Sequence, residues 1–188
     1  MANLRYPFKS NFYVKFRPPN VDELIEKFMA IEADEQPQPW TTHCKLKTTS
    51  MVYSQYLDEM TSIVHSLSSE MGYYMDVTLQ NPWLNHYERG YFQEIHDHIN
   101  CDMSLVMFLN QGEGFAKFYF YDEVSYKILP MSNNLRELMG TDVFHCPNIS
   151  AGDVIAFPST FLHGVTPHES DIVRKTFSFN FNVNAIND

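Results

Sequence analysis

The stretch GYFQEIHDHINCDMS, residues 90–104, sets His96 and His98 around Asp97 and places Asp102 shortly beyond them. Imidazole and carboxylate are the usual donors for divalent transition metals, so this cluster has the composition of half a metal site. On a strand, adjacent side chains point to opposite faces while i and i+2 share one. His96 and His98 can therefore reach one ion together, and His96 with Asp97 cannot. Asp102, or Asp97 swung in from a loop, is the carboxylate alternative, either as a ligand or as a partner that orients an imidazole. A further ligand must come from elsewhere in the chain, and AGDVIAFPSTFLHGVTPH offers one. There a Gly152-Asp153 turn launches the apolar run Val154 to Phe157, Pro158 ends it, and His163 follows a short loop. His163 is the expected distal ligand.

A second kind of chemistry follows in RKTFSFNF. By period-two alternation Arg174, Thr176, Ser178 and Asn180 share one face of a strand, and Phe177, Phe179 and Phe181 share the other. A guanidinium with a hydroxyl two residues along suits a carboxylate, whose two oxygens accept a forked pair of hydrogen bonds. The polar face reads as an acid-binding wall. Asn85 and Tyr87, on one face of the strand before His96, and Ser104, at the start of SLVMFLN, are further hydrogen-bonding candidates for the bound acid. The remaining histidines, His43, His65, His86, His145 and His168, read as structural or solvated. His98, Cys101, His145 and Cys146 do not form the paired spacings of a structural zinc site.

These residues need a rigid frame. From residue 73 onward the chain is a series of short β-branched and aromatic runs broken by Asn-Pro, Gly and Ser: YYMDVTLQ, WLNHYE, YFQEIH, MSLVMFLN, FAKFYFYD, DVIAFP and RKTFSFNFNV. That rhythm predicts an all-β core over residues 73–184. Residues 1–72 form a cover of strands and helices on it: a strand in SNFYVKF, a helix in NVDELIEKFMAIEAD with Asn20 as its N-cap, and a longer helix over Met51 to Met71 stopped by Gly72. The whole chain, 1–188, reads as one domain. DEVSYKILPMSNNLRELMGTD, residues 122–142, interrupts the strands with a short helical pattern around Leu135, Leu138 and Met139, and predicts a lid or rim.

Composition narrows the classes. Aromatic residues make up 15% of the chain and the formal net charge is −10, which favours a packed domain and disfavours nucleic acid or anionic lipid as general partners. The sequence shows neither a signal-peptide pattern nor an apolar run long enough to span a bilayer, and the expected location is the cytoplasm. Cys44, Cys101 and Cys146 are sparse and odd in number, so reduced thiols are expected.

Taken in order, LNHYERGYFQEIHDH, AGDVIAFPSTFLHGVTP and RKTFSFN resemble the 2-oxoglutarate and Fe(II)-dependent oxygenases, in particular the small bacterial and phage-encoded group related to prolyl 4-hydroxylases. The resemblance implies a mainly β fold with N-terminal helices, a double-stranded β-helix or jelly roll of the cupin-like kind. It also implies an Fe(II)-dependent hydroxylase that takes O2 and 2-oxoglutarate as partners and releases succinate and CO2. By position, His96 and His163 match the family's metal-binding histidines, and Arg174 with Thr176 matches its Arg-x-Ser for the distal carboxylate of 2-oxoglutarate. The family places a carboxylate where this chain has His98, so the ligand set carried over is His96, His98 and His163. Prolyl residues of a protein are the substrate suggested by analogy; the sequence names neither the primary substrate nor an oligomeric state. The spacing of Gly90, His96, His98, Asp102, Gly152, Pro158 and His163 also resembles the cupin signatures, which implies a metal-dependent dioxygenase or isomerase without 2-oxoglutarate, or a non-catalytic metal-binding jelly roll. Cupin glycines near Leu109 and Thr160 are missing, and Arg174 has no role in that scheme, so the oxygenase reading is preferred.

Overall fold

The alternation in the last strand sets the layering of the fold. In the computed structural model, which describes residues 12–32, 45–128, 130, 133, 134, 137 and 143–187, eleven strands among those residues form two antiparallel sheets. The strands are β1 Val14–Phe16, β2 Lys47–Ser50, β3 Tyr74–Leu79, β4 Trp83–Tyr87, β5 Gln93–His96, β6 Met103–Phe108, β7 Phe118–Tyr121, β8 Phe144–His145, β9 Val154–Pro158, β10 His163–Val165 and β11 Arg174–Asn187. The larger sheet runs β1-β9-β6-β11-β4-β2, with β3 paired to the later part of β11; the smaller runs β5-β10-β7-β8. The runs of short strands predict the all-β core, and the jelly-roll arrangement is the one that the family resemblance implies.

β11 is central because each of its faces is buried against a different layer. Phe177, Phe179 and Phe181 are fully buried in one core, shared with Leu24 and Phe28 of helix α1 (Val21–Met29) and with Met60, Ile63, Val64 and Leu67 of helix α2 (Leu57–Met71). The Phe28 and Phe177 rings stack at 3.9 Å. On the other face Arg174, Thr176, Ser178 and Asn180 line an inner cavity. A second core, with Phe118, Phe120, Ile155, Phe157 and Val165, closes the space between the sheets.

The helices differ in detail from the sequence expectation. Asn20 stands at the start of α1, yet its side chain does not cap the helix; its Oδ1 accepts a hydrogen bond from Ser62 Oγ on α2 at 3.2 Å, joining the two helices. α2 begins at Leu57 rather than Met51, because Met51 N and Tyr53 N donate to Pro82 O and Asn81 Oδ1 and hold this stretch against the β3–β4 turn. Gly72 ends α2 as expected, in the left-handed conformation at φ 74°. The first third is also more than a cover: β1 pairs with β9 and β2 with β4, so both extend the larger sheet. Strands β2, β8 and β10 were not legible as alternating runs. Most of the expected lid, including Leu135, Leu138 and Met139, lies outside the described residues; a helix, α3 (Glu123–Ile128), occupies its beginning. His43 and Cys44 also lie outside them. No described helix is long and apolar enough to cross a membrane.

Removing the Phe177 ring leaves a cavity at the centre of the helix-facing core. Phe177→Ala should therefore lower the unfolding free energy by about 3 to 5 kcal/mol in urea titration, and a loss below about 1 kcal/mol would contradict this account of β11.

Candidate active site

Antiparallel pairing of β5 with β10 puts His163 directly opposite His96. Cross-strand partners project from the same face of a sheet, so this register alone brings residues distant in sequence side by side. His98 lies just beyond the end of β5, and its backbone N–H donates to Ser159 O at 2.9 Å, which turns it back toward the pair. The ring centroids stand 4.2 Å apart for His96 and His163, 5.3 Å for His98 and His163, and 5.4 Å for His96 and His98. One ligand nitrogen from each ring lies within 4.8 Å of the other two, the one such metal-ready group among the described residues.

The protonation of this group suits a metal. His96 Nδ1 donates to Glu94 O at 2.8 Å and His163 Nδ1 to Phe161 O at 2.7 Å. A carbonyl can only accept, so in both rings Nδ1 carries the hydrogen and Nε2 is the basic nitrogen. Burial lowers the His96 pKa to about 4, with His98 adding repulsion; burial and then the neighbouring His96 hold His163 well below the ordinary histidine value, and burial also lowers His98. Three neutral imidazoles converging from two sides are a donor set that a divalent ion such as Fe(II) accepts.

The carboxylate alternatives are placed elsewhere. Asp102 is exposed, and its Oδ2 accepts from Val183 N at 2.9 Å, bracing the bulge in β11. Asp97 stands outside the cluster and acts on His96 and His98 as a nearby negative charge. His65 packs on Tyr74, His145 bonds Tyr13, and buried His168 accepts from Ala116 N and donates to Ile172 O, while buried His86 contacts Thr49. Cys101 and Cys146 are unpaired thiols.

Arg174 lies in the same cavity, which has a volume of about 440 Å³. Its guanidinium is 4% exposed, sits 4.7 Å from the Tyr87 ring centroid and 5.4 Å from that of Phe108, and pairs with no carboxylate among the described residues. Its Nη1 is buried without a hydrogen-bond partner. Stripping an ion of water costs several kcal/mol, and aromatic faces return only part of that. The guanidinium, which also has a hydrogen bond with Tyr87, is thus a candidate to receive an anion. Thr176 Oγ1 accepts from Asn85 Nδ2 at 3.2 Å, so its own hydroxyl hydrogen is left to donate, and Tyr87 donates to Gln93 Oε1. Asn85, Tyr87 and Thr176 accordingly gather near Arg174, whereas Ser104 stands opposite Asn180, at the histidine end of the same strand face. Sequence reasoning passed over Gln93, Ser159 and Trp83, whose ring stacks on His98 at 5.8 Å. It recorded Asn180 only as a member of the polar face; its contact with His98 Nδ1 at 2.9 Å needed the fold.

Comparison with known proteins agrees with this arrangement. The family model for 2OG-Fe(II) oxygenases matches residues 81–180, more than half of the chain and the span from β4 to the Asn180 position of β11. The chain belongs to that family: it is an enzyme of the 2-oxoglutarate-dependent oxygenases, with Fe(II) as its metal and 2-oxoglutarate as its co-substrate. The cupin-type alternative without 2-oxoglutarate is set aside. No curated protein sequence matches the chain significantly. Among solved structures, a 2OG-Fe(II) oxygenase-family oxidoreductase from Burkholderia pseudomallei matches with a TM-score of 0.63 at 10% identity, over 90% of this chain and 84% of that one. HygX from Streptomyces hygroscopicus, with nickel and 2-oxoglutarate bound, gives 0.63 at 9% identity over 93% and 84%, and a Pseudomonas putida prolyl-4-hydroxylase gives 0.60 at 16% over 92% and 93%. At these identities the likeness is one of fold.

Two outcomes test the metal end. Bound iron should be lost in His98→Ala and retained in Asp102→Ala; the reverse pattern would replace His98 by a carboxylate ligand. In the metal-free protein, a His96 pKa near 4 against an unfolded value near 6.5 means that the unfolded chain takes up the proton first. Stability should therefore fall as pH drops from about 6.5 through about 4, and His96→Gln should flatten that slope in urea titrations across the range.

Proposed function

We propose that this oxygenase hydroxylates its substrate at a centre held by His96, His98 and His163, with 2-oxoglutarate anchored by Arg174. The observation that carries the reading is the buried Arg174, which has no acidic partner among the described residues and lines the same cavity as the three histidines. When bound, Fe(II) with 2-oxoglutarate and O2 supplies the oxidising chemistry, and succinate and CO2 leave.

The chain's own contribution is position and environment. Arg174 offers its forked N–H donors to the distal carboxylate, and Thr176, held by Asn85, adds a hydroxyl donor from the same strand face. Ser178, between these residues and Asn180, continues the polar track toward the histidines. Phe118, Phe157 and Val165 supply apolar lining that limits water. Apart from Arg174, the described lining carries hydroxyls, amides, imidazoles and apolar groups, with no carboxylate or lysine. The part of the primary substrate that enters is therefore uncharged, a condition that a prolyl ring meets and so does a neutral hydroxylated ring. Net charge and the absence of a basic patch in the cavity argue against nucleic acid.

Arg174→Ala should raise the Kd for 2-oxoglutarate by about thirty- to a thousand-fold, the equivalent of about 2 to 4 kcal/mol for a lost charge-assisted pair, while leaving iron stoichiometry unchanged. Calorimetric titration measures both. Equal affinity in parent and variant would remove Arg174 from the co-substrate site.

A further inference from the structure

His96 and His163 each give their Nδ1 hydrogen to a backbone carbonyl, and this decides which nitrogen remains for a metal. His98 is different. Its Nδ1 lies 2.9 Å from Asn180 Nδ2, the donor edge of that amide, and a half-turn of the amide offers the acceptor oxygen in its place. A carboxylate at position 98 could ligate through either oxygen, whereas an imidazole must hold its hydrogen on the nitrogen turned away from the ion. We propose that Asn180 is the positioning residue that selects the ligating tautomer of His98, presenting its carbonyl oxygen to His98 Nδ1–H whenever Nε2 holds the metal. The inference rests on His98 being a ligand.

The surroundings of Asn180 can follow that orientation, because the groups beyond the amide are hydroxyls and a thiol whose hydrogens turn. Beyond the amide, Ser104 Oγ lies 2.9 Å away, Ser159 Oγ lies 2.8 Å from Ser104 Oγ, and Cys101 Sγ lies 3.1 Å from Ser159 Oγ and 3.6 Å from His98 O. In the structure Ser104 Oγ donates to Asn180 Oδ1 and the Cys101 thiol to Ser159 Oγ; after the half-turn that brings the amide oxygen to His98, the amide N–H donates to Ser104, Ser104 to Ser159, Ser159 to the Cys101 sulfur, and the thiol to the His98 carbonyl. Each side-chain group in the series donates along it once and accepts once, and the series begins and ends on the same residue. Ser104 is 2% exposed and Ser159 is fully buried, so water is a poor substitute for a missing member. With the amide as the structure has it, its NH2 faces Nδ1, the ring hydrogen belongs on Nε2, and the half-turn of the amide has to accompany metal binding. Placement agrees with this role: Asn180 is on the cavity face of β11, and β6 brings Ser104 opposite it in register.

The test compares Asn180→Leu, Asn180→Asp and His98→Ala with the parent by calorimetric titration of the metal-free proteins with Zn(II), together with nitrogen-15 NMR of histidine in the Zn(II)-loaded forms. Asn180→Leu should bind about ten- to a hundred-fold more weakly, the usual consequence of losing a ligand's hydrogen-bond partner. Asn180→Asp, which can only accept and also returns a negative charge to an all-neutral ligand set, should bind at least as tightly as the parent. The NMR spectra should show the hydrogen of His98 on Nδ1 in the parent and in Asn180→Asp. Equal weakening in Leu and Asp variants would mean a merely structural role and overturn the proposal, as would a His98 hydrogen on Nε2 in the loaded parent. Parent-like affinity in Asn180→Leu alongside weakened His98→Ala would overturn it while sparing the ligand assignment; parent-like affinity in His98→Ala would remove that assignment and the proposal with it.

Discussion

A single strand, β11, has to satisfy two opposite environments, and the rest of the molecule is arranged around that requirement. Its phenylalanines need apolar cover, which α1 and α2 provide, while the residues between them carry a guanidinium, two hydroxyls and an amide that need polar partners. Strand geometry separates the two sets by direction alone, with no loop or insertion required. Specific neighbours meet part of the cost of burying the polar set, Asn85 for Thr176, Ser104 for Asn180, and the Tyr87 and Phe108 rings for Arg174, while Ser178 Oγ is buried with no hydrogen-bond partner among the described residues.

Arg174 is the member whose needs the folded chain meets least. A cation held between aromatic faces, with a buried Nη1 that makes no hydrogen bond, stores affinity for an anion. The histidine end is the converse case. There burial keeps three imidazoles neutral, and neutral imidazoles bind cations. On the proposed reading, the cavity receives the distal carboxylate of 2-oxoglutarate at its Arg174 end and the metal at its histidine end.

A ligand role for His98, in place of the carboxylate that the resemblance implies, would change what the surrounding residues must do. A carboxylate brings negative charge and two equivalent oxygens; an imidazole brings neither, and its usefulness depends on where one hydrogen sits. In the proposal above, Asn180, backed by Ser104, Ser159 and Cys101, controls that hydrogen. They come from three different segments of the larger sheet and its loops, so the demand is met by the fold as a whole.

Much of this was legible in the sequence because it depends on local periodicity. The alternation from Arg174 to Phe181, the strand runs after residue 73 and the Gly72 helix stop all rest on backbone geometry within a few residues, and the fold preserves each; His98, by contrast, lies beyond the end of β5 and reaches His96 through its bond to Ser159 rather than by strand alternation. Other features depend on what the chain meets far away. Asn20 bonds Ser62 instead of capping α1, Asp102 braces Val183 instead of approaching the histidines, and β2 and β10 exist because partner strands lie beside them. The sequence by itself determined the residue types of the site and the face on which each is carried, since side-chain direction follows from secondary structure. Only the tertiary structure decided that His163 stands opposite His96, that Arg174 is buried without a carboxylate, and that an amide from β11 meets the ring of His98, because register and burial are set by contacts between segments that no local pattern records.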